Sequence, residues 1–431
     1  MARLLAQRSS GLIGHLRVPS DKSMSHRSLL LGAVAEGVTR VDSLLTADDV
    51  MHTAQALRAM GVEIETEGDQ FLVRGGRLVA PGRHLDLGNA GTGVRLLMGL
   101  AAGQQVACTF TGDPSLRRRP MGRVLDPLRL MGLEADDHDG RLPVTLRPVQ
   151  LKGVGYGLPM ASAQVKSALL LAGLGADSLV TVVEKVPTRD HTERMLTAFG
   201  ADITTDGHEI VLRPGRRLVG QTISVPADPS SAAFPIVAAS ILEGSDLLLE
   251  AVMMNPRRTG LFSVLKRMGA RLTEQNSRQI GGEDVADLLV RFAALKGTKV
   301  EAHEVPDMID EIPILSVAAA VASGITRIEG LEELKVKESD RLTATANLLR
   351  AAGASCEMGD DWLEIEGSAG KPLKGGALID TDHDHRMGMA ALILGLQSSE
   401  AMTIEGAEAV DTSFPGFAPL MRSIGAQITS G

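Results

Sequence analysis

The sequence predicts an α/β (α+β) protein built by repetition and arranged as two domains. Three observations carry this. A helix–glycine–strand pattern occurs six times along the 431 residues. Turn residues flanked by alternating apolar positions follow several of those glycines, as in hairpins. A Pro- and Ser-rich break, Val225-Pro226-Ala227-Asp228-Pro229-Ser230-Ser231, falls between the third and fourth occurrences.

The six glycines are Gly61, Gly132, Gly200, Gly269, Gly353 and Gly425. Each closes an apolar-periodic segment, such as Ala56-Leu57-Arg58-Ala59-Met60, and precedes an alternating one, such as Val62-Glu63-Ile64. A glycine just past the last helical residue adopts the left-handed conformation that caps the helix. The glycines are spaced by 71, 68, 69, 84 and 72 residues. That exceeds the ~20–50-residue period of solenoids and propellers. It suits a compact subdomain of a few strands and two helices, used six times. Hairpins are expected around Asp139-Gly140, Asp206-Gly207 and Gly359-Asp360-Asp361. Six units divide most simply into two domains of three.

Composition narrows the function. Apolar residues make up 44% of the chain, which marks a globular protein. Aromatics are only 2%, which argues against stacking platforms for single-stranded nucleic acid. A net charge of −9 argues against non-specific nucleic-acid binding. Cys108 and Cys356 form no disulfide framework and no metal spacing. The first residues lack the apolar core of a signal peptide, and no apolar run reaches the ~18 residues of a membrane span. The expectation is a cytoplasmic protein without membrane or nucleic-acid partners.

Charged residues gather where apolar helices begin. Val18-Pro19-Ser20-Asp21-Lys22-Ser23-Met24-Ser25-His26-Arg27-Ser28 precedes an apolar run from Leu29. Asp21 and the serines are good N-caps, and a helix N-terminus favours an anion. The stretch reads either as an anion site or as an ordinary capped helix. Gly88-Asn89-Ala90-Gly91-Thr92-Gly93-Val94-Arg95 is a glycine-rich turn into a helix, without the lysine of a P-loop. Arg117-Arg118-Arg119-Pro120 precedes another helix, with Pro120 expected in its first turn. Ser162-Ala163-Gln164-Val165-Lys166 offers polar donors to a polyol or phosphate, or else a cap with a solvated lysine. Arg189-Asp190-His191-Thr192-Glu193-Arg194 is an anion contact or helix-start charge pairing.

In the second half, Asp310 precedes a strongly apolar helix and is either a dipole stabiliser or a proton acceptor. Lys337 and Arg341, four apart, are expected on one helical face, where two cations repel unless an anion lies between them. His383-Asp384-His385-Arg386 matches no metal spacing, so Arg386 reads as an anion clamp. Taken together, an acidic protein places Lys22, Arg27, Arg119, Arg189, Lys337, Arg341 and Arg386 at successive helix starts. That suits ligands with several negative charges.

With these residues assembled, the chain resembles the 5-enolpyruvylshikimate-3-phosphate synthase family over essentially its whole length. The motifs run from Asp21-Lys22-Ser23-Met24-Ser25-His26-Arg27, through Gly88–Gly93, Arg119-Pro120-Met121, Ser162-Ala163-Gln164, Asp310, Lys337-Glu338-Ser339-Asp340-Arg341 and Asp384-His385-Arg386, to Ser413-Phe414-Pro415. The resemblance implies the two-domain enolpyruvyl transferase fold, an inside-out α/β barrel of six βαβαββ repeats, three per domain. One domain would span 20–227. The other would combine 1–19 with 228–431, with a hinge at the two crossovers and the active site between domains. It implies transfer of the enolpyruvyl group of phosphoenolpyruvate to the 5-hydroxyl of shikimate 3-phosphate, releasing phosphate by addition–elimination. No cofactor or metal is implied, and a monomer is expected.

By motif position, Lys22, Ser23, Arg27, Ser162, Gln164, Arg189, Asp310 and Lys337 would hold shikimate 3-phosphate. Lys22, Gly91, Arg119, Gln164, Arg341 and Arg386 would hold phosphoenolpyruvate. Asp310 would take the 5-hydroxyl proton, and Glu338 would protonate the methylene carbon. Lys22 would assist the leaving phosphate. Ala163 and Thr412 depart from some members, which carry serine and lysine there. Arg189 would replace the first of those contacts, as in the class II branch. Gly91 is expected to leave room for glyphosate, an inhibitor that takes the place of phosphoenolpyruvate in the family. A related UDP-N-acetylglucosamine enolpyruvyl transferase would carry a loop cysteine. The Thr111-Gly112-Asp113-Pro114-Ser115 loop has none. A non-catalytic binding protein would not need Lys22, Asp310 and Glu338 together.

Overall fold

Segments that are apolar on every side form buried helices, and those with one apolar stripe form surface helices. The structure, a computed structural model, describes residues 3–431. Its contacts divide the chain into two units. One is Ser20–Val225 with Ile280–Gly282; the other is Met1–Pro19, Pro226–Gln279 and Glu283–Gly431.

In the Ser20–Val225 unit the buried helices are Lys22–Val34, Gly91–Gly103 and Ala163–Gly173. Asp48–Ala59, Gly122–Leu130 and His191–Ala198 are the helices with one buried face. Three four-stranded sheets complete the unit. In each, a short edge strand runs parallel to its neighbour: Thr222–Ser224 beside Val38–Asp42, Leu85–Asp86 beside Cys108–Thr111, and Gly155–Gly157 beside Val180–Val183. An antiparallel hairpin fills the other half of each sheet.

The buried helices approach closely because small residues face one another. A Cβ on Gly99 would lie 2.2 Å from the Ala168 carbonyl oxygen, and one on Gly103 would lie 2.6 Å from that of Ala172. Backbone packed on backbone leaves no space for rings between these two helices.

The other unit is built alike. Pro229–Ile241, Ile312–Val321 and His385–Gly395 are buried along nearly their whole length. Three four-stranded sheets surround them, each again with a parallel edge pair. A two-stranded sheet, Leu373–Gly375 with Ser398–Glu400, is added. Phe234, Phe414 and Phe417 meet edge to face in the core, with centroids 5.1 and 6.1 Å apart. No helix among the described residues is long and apolar enough to cross a membrane.

All six glycines read as helix caps have positive φ, between 88° and 110°. The hairpin turns also fall where expected, with Asp139 and Gly140 at φ 52° and 70° between Ala135–His138 and Arg141–Leu146.

Other local expectations are corrected. The first helix begins at Lys22, not Leu29, because Asp21 Oδ1 accepts from the Met24 amide at 2.7 Å. Ser25 and Ser28 therefore lie inside the helix, each donating its hydroxyl to the carbonyl four residues back. Val18–Asp21, expected from its place among the six repeats to be a strand crossing between domains, is not one. Ser20 forms a lone bridge, and Pro19 has no N–H to offer a ladder. Pro120 lies outside any helix, between Pro114–Arg118 and Gly122–Leu130. The Met121 and Gly122 amides donate to the Gly140 carbonyl, which starts the second helix later than expected.

Candidate active site

In the Ser20–Val225 unit, the N-terminal ends of the three buried helices are tied by their own polar side chains. Arg27 is 3% exposed. Its Nε donates to Thr192 Oγ1 at 2.6 Å, Nη2 to Ser167 Oγ at 2.8 Å and Nη1 to the Ser23 carbonyl at 3.0 Å. Gln164 Oε1 accepts from Arg95 Nη1 at 2.6 Å, and its Nε2 donates to Thr92 Oγ1 at 3.0 Å. Lys22 Nζ lies 2.9 Å from Asp49 Oδ2. Ser162 caps the Ala163–Gly173 helix through the Val165 amide. His26 is fully buried against Thr53 Oγ1 at 2.9 Å, and burial lowers its pKa to about 3. It is a neutral packing element among cations.

Gly91 opens the Gly91–Gly103 helix, and Arg119 lies against it. A Cβ at Gly91 would stand 2.6 Å from Arg119 Nη1 and 3.6 Å from Arg95 Nη1. Arg119 Nη2 donates to Asn89 Oδ1, while Asn89 Nδ2 donates to Asp113 Oδ2 at 2.7 Å. Glycine at this position thus lets a buried guanidinium reach the helix N-terminus, rather than leaving empty room. Lys22, Arg27, Gly91, Arg119, Ser162 and Gln164 belong to these ties. Arg189 lies in the loop before the His191–Ala198 helix.

In the other unit, Asp310 is the meeting point. Lys337 Nζ and Arg341 Nη1 each lie 3.3 Å from its Oδ1. The two cations do not share a helical face. A 3-10 turn ends at Val336, and Asp340 caps a new helix, Arg341–Ala351, through the Thr343 amide at 3.1 Å. The anion that the pair requires is Asp310 itself.

Arg341 is fully buried, with Nε 2.8 Å from Asp384 Oδ2 and Nη2 2.7 Å from Glu338 Oε2. Burial alone would lower its pKa, but Asp384 and Glu338 hold it above the usual arginine value. Burial raises the Asp384 carboxyl, and Arg341 more than offsets this and holds it low. Arg386 Nη1 donates to the Asp310 carbonyl at 3.0 Å and lies 3.2 Å from Glu311 Oε1. Asp310, Lys337, Glu338, Arg341 and Arg386 therefore form one connected group.

The family model for EPSP synthase (3-phosphoshikimate 1-carboxyvinyltransferase) matches residues 6–421. The chain belongs to the EPSP synthase family. It is 51% identical to the 3-phosphoshikimate 1-carboxyvinyltransferase of Rhizobium johnstonii, over 98% of this chain and 96% of that one. It is 52% identical to the protein of that name from a Chelativorans species, over 98% and 97%. The EPSP synthase structure from Acinetobacter baumannii superposes with a TM-score of 0.89 at 45% identity, covering both chains fully.

Within this EPSP synthase family chain, several residues that hold the candidate site residues have no role assigned from the sequence. Arg95 sits in an apolar helix yet is 6% exposed, so it had to find partners, and these are Gln164 and the Pro120 carbonyl. Asp49 pairs Lys22, and Asp384 and Glu311 hold the two arginines. Lys166, expected to be solvated, is completely buried. It is paired with acids 18 and 27 residues away, a distance at which sequence gives no signal.

Proposed function

We propose that the protein transfers the enolpyruvyl group of phosphoenolpyruvate to the 5-hydroxyl of shikimate 3-phosphate, releasing phosphate. The observation that carries the mechanism is the shared Asp310 oxygen, 3.3 Å from both Lys337 and Arg341, with Glu338 on the same guanidinium. Asp310 accepts the 5-hydroxyl proton as that oxygen attacks C2 of phosphoenolpyruvate. Glu338 protonates C3, giving a tetrahedral adduct. Glu338, now a carboxylate, takes a proton back from C3, the C2–O bond to phosphate breaks, and the enol ether forms while Lys22 neutralises the leaving phosphate.

Both substrates are polyanions, so cations must offset their repulsion and fix the attack geometry. Ser23, Arg27, Ser162, Gln164, Arg189 and Lys337 hold shikimate 3-phosphate. Gly91, Arg119, Gln164, Arg341 and Arg386 hold phosphoenolpyruvate, and Lys22 serves both. Each four-stranded sheet with its two helices is read as one βαβαββ repeat, three to a domain. A cytoplasmic monomer without nucleic-acid partners fits this role.

Phosphate release from phosphoenolpyruvate tests the assignment, with shikimate 3-phosphate and then a UDP-sugar as acceptor. Release with the first alone is expected. Release only with the sugar, or with neither, refutes it.

A further inference from the structure

Lys166 belongs to neither substrate set. It lies one turn into the Ala163–Gly173 helix, with its side chain 1% exposed. Its ammonium is 2.6 Å from Glu193 Oε1 and 3.0 Å from Glu184 Oε2, and it donates to the Thr188 carbonyl at 3.5 Å. Thr188 Oγ1 donates to the other oxygen of Glu184. One ammonium therefore joins the start of one helix, the end of the Val180–Val183 strand, the following loop and the His191–Ala198 helix.

Such a group is a poor device for stability alone, because desolvating three charges offsets most of their attraction. Two carboxylates around one ammonium leave surplus negative charge in the interior. Burial raises the Glu193 carboxyl, partly opposed by Lys166, and Glu193 Oε2 has no hydrogen-bond partner. Apolar side chains would fill the same volume at lower cost. What they would lack is direction, since an ammonium has three donors and each here fixes a different piece of chain.

The pieces are those that carry proposed substrate contacts. Thr188 immediately precedes Arg189. Ser167 Oγ, next to Lys166, is 2.7 Å from Thr192 Oγ1, next to Glu193. Arg27 donates to both hydroxyls. Lys166–Glu193 and Ser167–Thr192 are successive cross-ties between the same two helices, one reaching Arg27 and the other reaching the Arg189 loop.

We propose that Lys166, held by Glu184 and Glu193, is a positioning residue that sets Arg189 for the phosphate of shikimate 3-phosphate. The proposal rests on the reading of Arg189 as a phosphate contact.

The test is steady-state kinetics with each substrate varied in turn, on variants whose folding is checked by circular dichroism. Lys166→Met removes the charge and keeps an unbranched chain. Glu193→Gln keeps an acceptor for Lys166, whereas Glu193→Leu does not. Lys166→Met and Glu193→Leu should raise KM for shikimate 3-phosphate by about tenfold or more, with KM for phosphoenolpyruvate changed less than about threefold. Glu193→Gln should stay within about threefold of the parent for both. In an Arg189→Ala background, Lys166→Met should raise KM no further, because the residue through which it acts is gone.

Equal rises for both substrates, additivity with Arg189→Ala, or an unchanged KM in Lys166→Met would each overturn the proposal. The contrast between Glu193→Leu and Glu193→Gln decides the matter should Lys166→Met fail to fold. If Arg189→Ala alone leaves KM for shikimate 3-phosphate unchanged, the phosphate reading fails first and the proposal falls with it.

Discussion

Replacing Gly91 by alanine should weaken glyphosate and phosphoenolpyruvate together. The added Cβ would stand 2.6 Å from Arg119 Nη1, where ordinary contact begins at 3.4 Å. Either the guanidinium or the helix start must therefore yield by roughly 0.8 Å. Arg95 Nη1, 3.6 Å away on another side, restricts where the methyl can go. Arg119 is 6% exposed and donates to Asn89, so it cannot swing out into solvent without breaking that bond. On the proposed role of Arg119, a displacement of this size misaligns its charge-assisted hydrogen bond to phosphoenolpyruvate or glyphosate, worth about 1.5–3 kcal/mol, or roughly a 10–100-fold loss. The expectation from sequence alone was that the methyl excludes glyphosate by filling space. The geometry instead makes Arg119 the target, so KM for phosphoenolpyruvate should rise as well as the inhibition constant of glyphosate. Both are measured in the phosphate-release assay. An unchanged inhibition constant, or a tenfold rise in it with KM untouched, would refute the argument.

Asp310→Asn keeps the shape but cannot accept the hydroxyl proton, and kcat should fall by about 10²–10⁴. KM for shikimate 3-phosphate should change far less, because Arg341 retains Asp384 and Glu338; a normal kcat removes Asp310 from the chemistry. His26 gives a pH prediction with a definite sign. Its folded pKa of about 3 lies below the unfolded 6.5, so the unfolded chain takes up the proton first and stability is lost as pH falls from 6.5 toward 3. Between pH 7.5 and 4.5, urea unfolding of His26→Gln should lose roughly 2–3 kcal/mol less than the parent does; equal losses in the two proteins would show that His26 is not the group responsible.

Backbone demands were legible in the sequence. The six capping glycines could be identified because only glycine tolerates that conformation cheaply, and all six adopt it. Charges at helix starts were legible too, since each stands against an apolar background. Partnership was not. Lys337 and Arg341 looked like a helical pair by spacing, but Asp340 between them caps a helix, and the pair is united through Asp310 from another element. Lys166 looked like a solvated lysine, although it lies in the buried part of a helix that is apolar all round. An ionic residue in such a helix must have buried counter-charges or hydrogen-bond acceptors. That rule could have flagged Lys166 and Arg95, though it could not have named Glu184, Glu193 or Gln164.

The acids that hold these cations bear on selectivity. Lys22 rests on Asp49, Lys337 on Asp310, Arg341 on Asp310, Glu338 and Asp384, and Arg386 on Glu311. On the proposed substrate roles of these residues, a ligand does not meet bare positive charge in either unit. It must displace or share internal counter-ions, so its affinity is the difference between two paired states. A small free anion such as sulfate can compete for one such pair at a time, against carboxylates already in place. A substrate with a phosphate, a carboxylate and hydroxyls at fixed separations can exchange with several at once. On the proposed substrate roles, the paired charges within each unit would act as a filter against the common small anions of the cell.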